Sequence, residues 1–133
     1  MMFQLKKEIK LNTDLETAWE FFSDPKNLKT ITPPELNMLI TSELPKQMYE
    51  GMIITYKVHP ILKIPLPWVT EITKIKSNKM FIDEQRYGPY KMWHHEHFFE
   101  EFENGVKATD IVSYILPFGP IGIMVQKLSL IHI

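Results

Sequence analysis

Two histidines and one aspartate carry the chemical interest of this chain: His95, His97 and Asp110. His95 and His97 are two residues apart in MWHHEHFFEEF, so on a β-strand both side chains point to the same face. Asp110 follows in GVKATDIVSYI, after Asn104-Gly105, the dipeptide most often found in two-residue hairpin turns. With Asn104-Gly105 as the turn, Glu103 pairs with Val106. Asp110 then falls opposite Phe99 and diagonal to His97, within reach of its ring. An aspartate beside an imidazole fixes its tautomer, and the pair can hydrogen-bond a ligand or move a proton. These three residues are therefore the catalytic candidates. Buried histidines held only by Asp110, Tyr114 or backbone would be structural and nothing more. Two histidines and a carboxylate are also ligand types that zinc accepts. A two-histidine spacing is a weak signal alone, so neither a metal nor a cofactor is assigned.

The hairpin that holds them places a stripe on one face: Trp93, His95, His97 and Phe99 from one strand, Ala108, Asp110, Val112 and Tyr114 from the other. Bulky aromatics with a few polar groups suit a pocket wall better than a dry core. Phe81, Asp83, Gln85 and Tyr87 share a face of the preceding strand, and the Gln85 amide could bond a ligand carbonyl. Ile54, Tyr56 and Val58, with Trp68, Thr70 and Ile72, read as further wall, although such stripes usually fill cores. The expected ligand-binding set is Tyr56, Trp68, Gln85, Trp93, His95, His97, Phe99, Asp110, Val112 and Tyr114.

The remaining elements follow from pattern. Residues 3–11 alternate as a strand, with Lys7 on the apolar face as at an open or edge position. Thr13-Asp14-Leu15-Glu16 has the form of a capping box opening a helix to about Ser23, with Leu15, Ala18, Trp19 and Phe22 inward. Asp24-Pro25 starts a second short helix that Thr32-Pro33-Pro34 ends. Strands are expected over Leu36–Ser42, Met52–Val58, Trp68–Ile75 and Met80–Arg86, with a proline-punctuated connection from Pro60 to Pro67 and a helix beginning at Ile121. The fold class is α+β: a curved antiparallel sheet of six to seven strands, two short N-terminal helices and a C-terminal helix.

The chain has 133 residues, 44% hydrophobic and 23% charged, which fits one globular domain. With 15 basic against 16 acidic side chains it has no electrostatic footprint for nucleic acid. It has no cysteine, which excludes disulfides and thiolate metal sites. The N-terminal MMFQLKKEIKL lacks the apolar run of a signal peptide, so the expected address is cytoplasmic. Tyr114–Val125 is interrupted by Pro117, Gly119 and Pro120 and is too short to span a membrane.

Three strings, WEFFSDPKNLKTITPP (Trp19–Pro34), FIDEQRYGPYKMWHHEHFFEE (Phe81–Glu101) and YILPFGPIG (Tyr114–Gly122), resemble the SRPBCC or START-like superfamily, and within it the small bacterial stand-alone members labelled polyketide cyclase/dehydrase-like. The resemblance runs from residue 3 to about 127. It implies a helix-grip fold, in which a curved sheet wraps a long C-terminal helix around an apolar cavity. It also implies lipid, sterol, quinone or polyketide ligands, with catalysis in only some members, and it transfers no catalytic residue. Such a C-terminal helix runs about five turns, roughly 25–30 Å. Here only Pro120–Lys127 would supply it, before Leu128-Ser129-Leu130-Ile131-His132-Ile133. That hexapeptide equals the translation of a transposase-type sequencing adapter. The expectation is a domain over 1–127 with a truncated helix, and a non-native tail at 128–133. A shortened helix would expose the sheet's apolar face and favour a homodimer.

Three functions fit the residues: carriage of a small hydrophobic molecule, a cyclase or dehydratase using His95 or His97 with Asp110, and a protein-interaction module with a vestigial cavity. The first is preferred, because a cavity needs only walls and a few polar anchors.

Overall fold

Seven antiparallel strands form one curved sheet in the order β1-β7-β6-β5-β4-β3-β2. The computed structural model describes residues 1–32, 34–59 and 64–117. The Pro60–Lys63 part of the proline connection, the helix expected from Ile121 and the 128–133 tail lie outside the described residues. The strands are β1 (Met2–Leu11), β2 (Leu39–Ile40), β3 (Ile53–Val58), β4 (Leu66–Lys76), β5 (Met80–Tyr87), β6 (Met92–Phe102) and β7 (Gly105–Ile115). Helices α1 (Leu15–Phe22) and α2 (Leu28–Ile31) lie between β1 and β2, joined by a 3₁₀ turn at Pro25–Asn27.

The cap of α1 differs from the capping box by one residue. Asp14, not Thr13, is the N-cap, and its carboxylate accepts from the Thr17 backbone N–H at 2.7 Å and the Thr17 hydroxyl at 3.0 Å. A carboxylate complements the positive end of the helix better than a hydroxyl does. The Thr17 bonds hold its pKa below the usual carboxylate value. Asp24 repeats the device, accepting from the Lys26 N–H ahead of Pro25. The strand expected over Leu36–Ser42 shrinks to Leu39–Ile40, because Pro34–Leu36 forms a 3₁₀ turn and Asn37 takes a left-handed φ of +47°.

The β6–β7 turn is also displaced. Glu103 and Asn104 form it, with Glu103 at φ +55°, and Phe102 pairs with Gly105. Gly105 serves a close approach: a Cβ there would stand 2.4 Å from the Leu11 carbonyl oxygen of β1. The partner of every β6 residue therefore moves by two places, which leaves each side chain on its expected face.

Two bulges bend the sheet. Ile72 pairs with Asp83 and Lys74 with Ile82, so Thr73 is extra on β4. Val69 pairs with Tyr87 and Thr70 with Gln85, so Arg86 is extra on β5. The second bulge moves Tyr87 off the inner face expected for it, and its side chain is 65% exposed.

The inner face carries two apolar clusters. One gathers Tyr56, Trp68, Tyr90, Trp93, Val112 and Tyr114 with residues of β3 and the preceding loop. The other packs Trp19 and Phe22 of α1 on Phe81, Phe99, Val106 and Ala108. β1 is an edge strand, and Lys7 faces inward opposite Asp110, as its place on the apolar face indicated.

Candidate functional site

Between the two clusters the inner face turns polar. His97 stands directly opposite Asp110 on β7, and His95 directly opposite Asp83 on β5. The two rings stack with centroids 3.8 Å apart, and Phe81 stacks on the far side of His97 at 4.1 Å. Alternation alone puts these residues on one face, and adjacent strands 4.7–4.9 Å apart bring them into contact.

Three of the four contacts between these histidines and aspartates are of hydrogen-bond length. His97 donates from Nδ1 to Asp110 Oδ1 at 3.1 Å and from Nε2 to Asp83 Oδ2 at 2.5 Å. His95 donates from Nε2 to the same Asp110 oxygen at 3.1 Å, and its Nδ1 lies 3.8 Å from Asp83 Oδ2. Burial works to lower the His97 pKa, but bonds to Asp110 and Asp83, together with their charges, outweigh it and lift the pKa to about 9. Burial, then the neighbouring His97 charge, pushes His95 below its ordinary value. Burial opposes ionisation of Asp110, yet the two histidine bonds win and hold it well below the carboxylate range. At neutral pH the site thus contains a charged His97, a neutral His95 and an ionised Asp110. The tautomers follow from these partners.

A cavity of about 180 Å³ opens against this polar floor. Leu28 and Ile31 of α2, with Met38, Met48, Met52 and Ile54, supply apolar wall. Phe22 to Pro25 of the α1–α2 connection complete one side. Tyr56 and Thr70 line it too, joined hydroxyl to hydroxyl at 3.2 Å, and burial keeps the Tyr56 phenol protonated.

Among the expected ligand residues, the structure brings Tyr56, His95, His97 and Asp110 to this cavity. Trp68, Trp93, Val112 and Tyr114 sit instead in the packed cluster, each 2% exposed or less. Phe99 packs on Trp19 and Phe22, with ring centroids at 5.7 and 5.4 Å. Gln85 is occupied by backbone: its amide donates to the Tyr90 carbonyl at 2.6 Å, and its oxygen accepts from the Tyr90 N–H at 3.0 Å. Gly88 makes room for this fold-back, since a Cβ there would lie 2.5 Å from the Gln85 oxygen.

Sequence reasoning put Asp83 on the face of Phe81 and Gln85 without naming it a site residue, left the methionines open between pocket and core, and passed over Tyr90. Asp83 had a signal, an ionisable residue at an inward position two places from Phe81. Tyr90 lies in the Gly-Pro turn, where no alternation applies. Asp83, His95 and His97 each offer a ligating atom, all within 4.8 Å of one another, which makes them the group able to hold a metal ion among the described residues.

No helix among the described residues is long and apolar enough to cross a membrane. No family model matches the chain, and no curated protein matches it. Solved structures do. A protein of Chromobacterium violaceum aligns with a TM-score of 0.70 at 10% identity, over 95% of this chain and 89% of that one. Ginseng major latex-like protein 151 from Panax ginseng aligns at 0.67 and 13% identity, over 99% and 98%. Ara h 8.0201 aligns at 0.68 and 11% identity, over 98% and 91%. At such identities the likeness is one of fold: the chain shares the helix-grip fold of these proteins.

Proposed function

We propose that the chain binds and carries a small, mainly apolar molecule in the cavity between the inner face of the sheet and the α1–α2 segment. The observation that carries this reading is the make-up of the lining: a largely methionine and aliphatic wall that also holds the mutually bonded group of Asp83, His95, His97 and Asp110. Such a lining removes apolar surface from water and leaves a few polar groups to orient the guest. The volume of about 180 Å³ is below the ~300–1,000 Å³ of sites for drug-sized ligands, so the guest is of single-ring or short-chain size. Methionine walls suit an irregular or variable guest, because the thioether chain adapts its shape. Native mass spectrometry of the full chain, purified without detergent, tests this. A bound mass released on denaturation supports carriage, and a chain that stays empty through a panel of small aromatic and short-chain apolar molecules refutes it.

A cyclase or dehydratase reading is favoured by one feature, a buried neutral His95 oriented by Asp110 on the cavity wall. An imidazole so held can accept a proton at Nδ1 from a bound molecule. His95→Gln separates the readings: lost turnover with retained binding marks an enzyme, and weakened binding alone marks a carrier.

A further inference from the structure

The two carboxylates of the floor are not equivalent. Asp110 Oδ1 accepts from one nitrogen of each ring, Nδ1 of His97 and Nε2 of His95, both at 3.1 Å. The remaining nitrogen of each ring is thereby turned toward Asp83, with Oδ2 at 2.5 Å from His97 Nε2 and 3.8 Å from His95 Nδ1. These three atoms converge within 4.8 Å of one another on the cavity wall. Histidines that ligate a metal typically donate their other N–H to a carboxylate or carbonyl, which fixes the tautomer and raises the basicity of the ligating nitrogen. Asp110 does this for both rings at once. We propose that Asp83, His95 and His97 form a binding site for a first-row divalent transition-metal ion, with Asp110 as the positioning carboxylate of both histidines.

The donor set selects the class of ion. Two imidazoles and one carboxylate suit Zn²⁺, Fe²⁺, Co²⁺ or Ni²⁺, whereas Mg²⁺ and Ca²⁺ take oxygen ligands. The charges allow it: once the ion has displaced the His97 proton, two carboxylates and two neutral imidazoles balance a dication. Three protein ligands leave coordination positions for water or for an oxygen of a molecule in the cavity. As the rings stand, stacked at 26° with a hydrogen between His97 Nε2 and Asp83, an ion enters by displacing that hydrogen to solvent and splaying the rings apart. The site does not depend on the carrier reading: an apolar guest can bind without the ion, and the ion without the guest.

The test is titration of the full chain, stripped with chelator, with Co²⁺ alone, followed by visible absorption and by metal content after gel filtration. The expected result is about one Co²⁺ per chain, with the absorption bands of a four- or five-coordinate ion. Asp83→Asn and His97→Gln should each weaken binding by at least ~100-fold, and Asp110→Asn by about 10–100-fold. Near-ultraviolet dichroism of the Trp68–Trp93 cluster establishes that each variant is folded. His94→Gln controls for the outer face, where His94 lies beside Glu84 and Glu96, and should leave binding unchanged. Absence of stoichiometric Co²⁺ in the parent chain overturns the proposal. So does binding that survives Asp83→Asn and His97→Gln in folded variants, or binding that His94→Gln removes.

Discussion

Asp110 stands directly opposite His97 across the β6–β7 pair, with its Oδ1 atom 3.1 Å from the ring's Nδ1. A turn at Asn104-Gly105 would have set Phe99 in that place and His97 on the diagonal. The direct pairing places His97 opposite Asp110 and His95 on its diagonal, so one carboxylate oxygen reaches both imidazoles; with Phe99 opposite, His95 would stand a further step along the strand.

Gln85→Ala should destabilise the protein by about 1–3 kcal/mol, because it removes both side-chain bonds to the backbone of buried Tyr90. Urea unfolding measures this. Because Gln85 faces backbone and not the cavity, bound ligand in native mass spectra should persist in the folded fraction. Loss of ligand with unchanged stability would instead make Gln85 a ligand contact.

Gly105→Ala places a Cβ 2.4 Å from the Leu11 carbonyl and must push β1 away from β7. A cost of about 1–3 kcal/mol is expected, as for other overpacked sites. Hydrogen exchange should quicken first in β1 amides. Uniform exchange across the sheet would contradict a local clash.

Ile54→Phe should fill the cavity. Ile54 is buried and lines the space beside Met52 and Tyr56, so the added ring volume goes into it. Stability should change by less than about 1.5 kcal/mol, while ligand occupancy falls at least tenfold. Unchanged occupancy would place the guest elsewhere.

Stability of the metal-free chain should fall on the alkaline side. The folded His97 pKa is raised to about 9 from an ordinary 6.5. Its contribution is therefore complete below about 6.5, declines as the unfolded chain loses its proton first, and is gone above about 9. Asp110 acts at the other end: its lowered pKa gives a contribution present above about 3.8 and lost as pH falls further. Urea midpoints across pH, in chelator, should show the alkaline slope in the parent and a flatter one in His97→Gln. Equal slopes would remove His97 as its source.

Much of the fold was legible because strands advertise their faces. The alternation of Trp93, His95, His97 and Phe99, and of Ala108, Asp110, Val112 and Tyr114, survives intact in the structure, even though the pairing between the two sets is displaced. Parity is local and robust, whereas register depends on one turn, and Gly105 imitates a turn residue while serving contact with Leu11. The site was half legible for a related reason. His95, His97 and Asp110 belong to one hairpin, so the sequence brings them together by itself. Asp83 reaches them from β5 across the Gly88-Pro89 break, where register cannot be counted. Aromatic character did not separate wall from core, since Trp68, Trp93 and Tyr114 pack on Tyr90 and leave the cavity to methionines.

The bulges at Thr73 and Arg86 also decide where this chain can change length. At each of them two residues face one partner, so removing Thr73 would keep Ile72 and Ile75 on the inner face and cost only curvature. Removing a residue from a regular stretch has no such refuge. Loss of Thr109 would turn every residue on one side of the gap to the opposite surface, separating Asp110 from Ala108 and breaking the alignment with both histidines. Relatives that differ by a single residue should carry the difference at position 73 or 86, and the hairpin of β6 and β7 should keep its count.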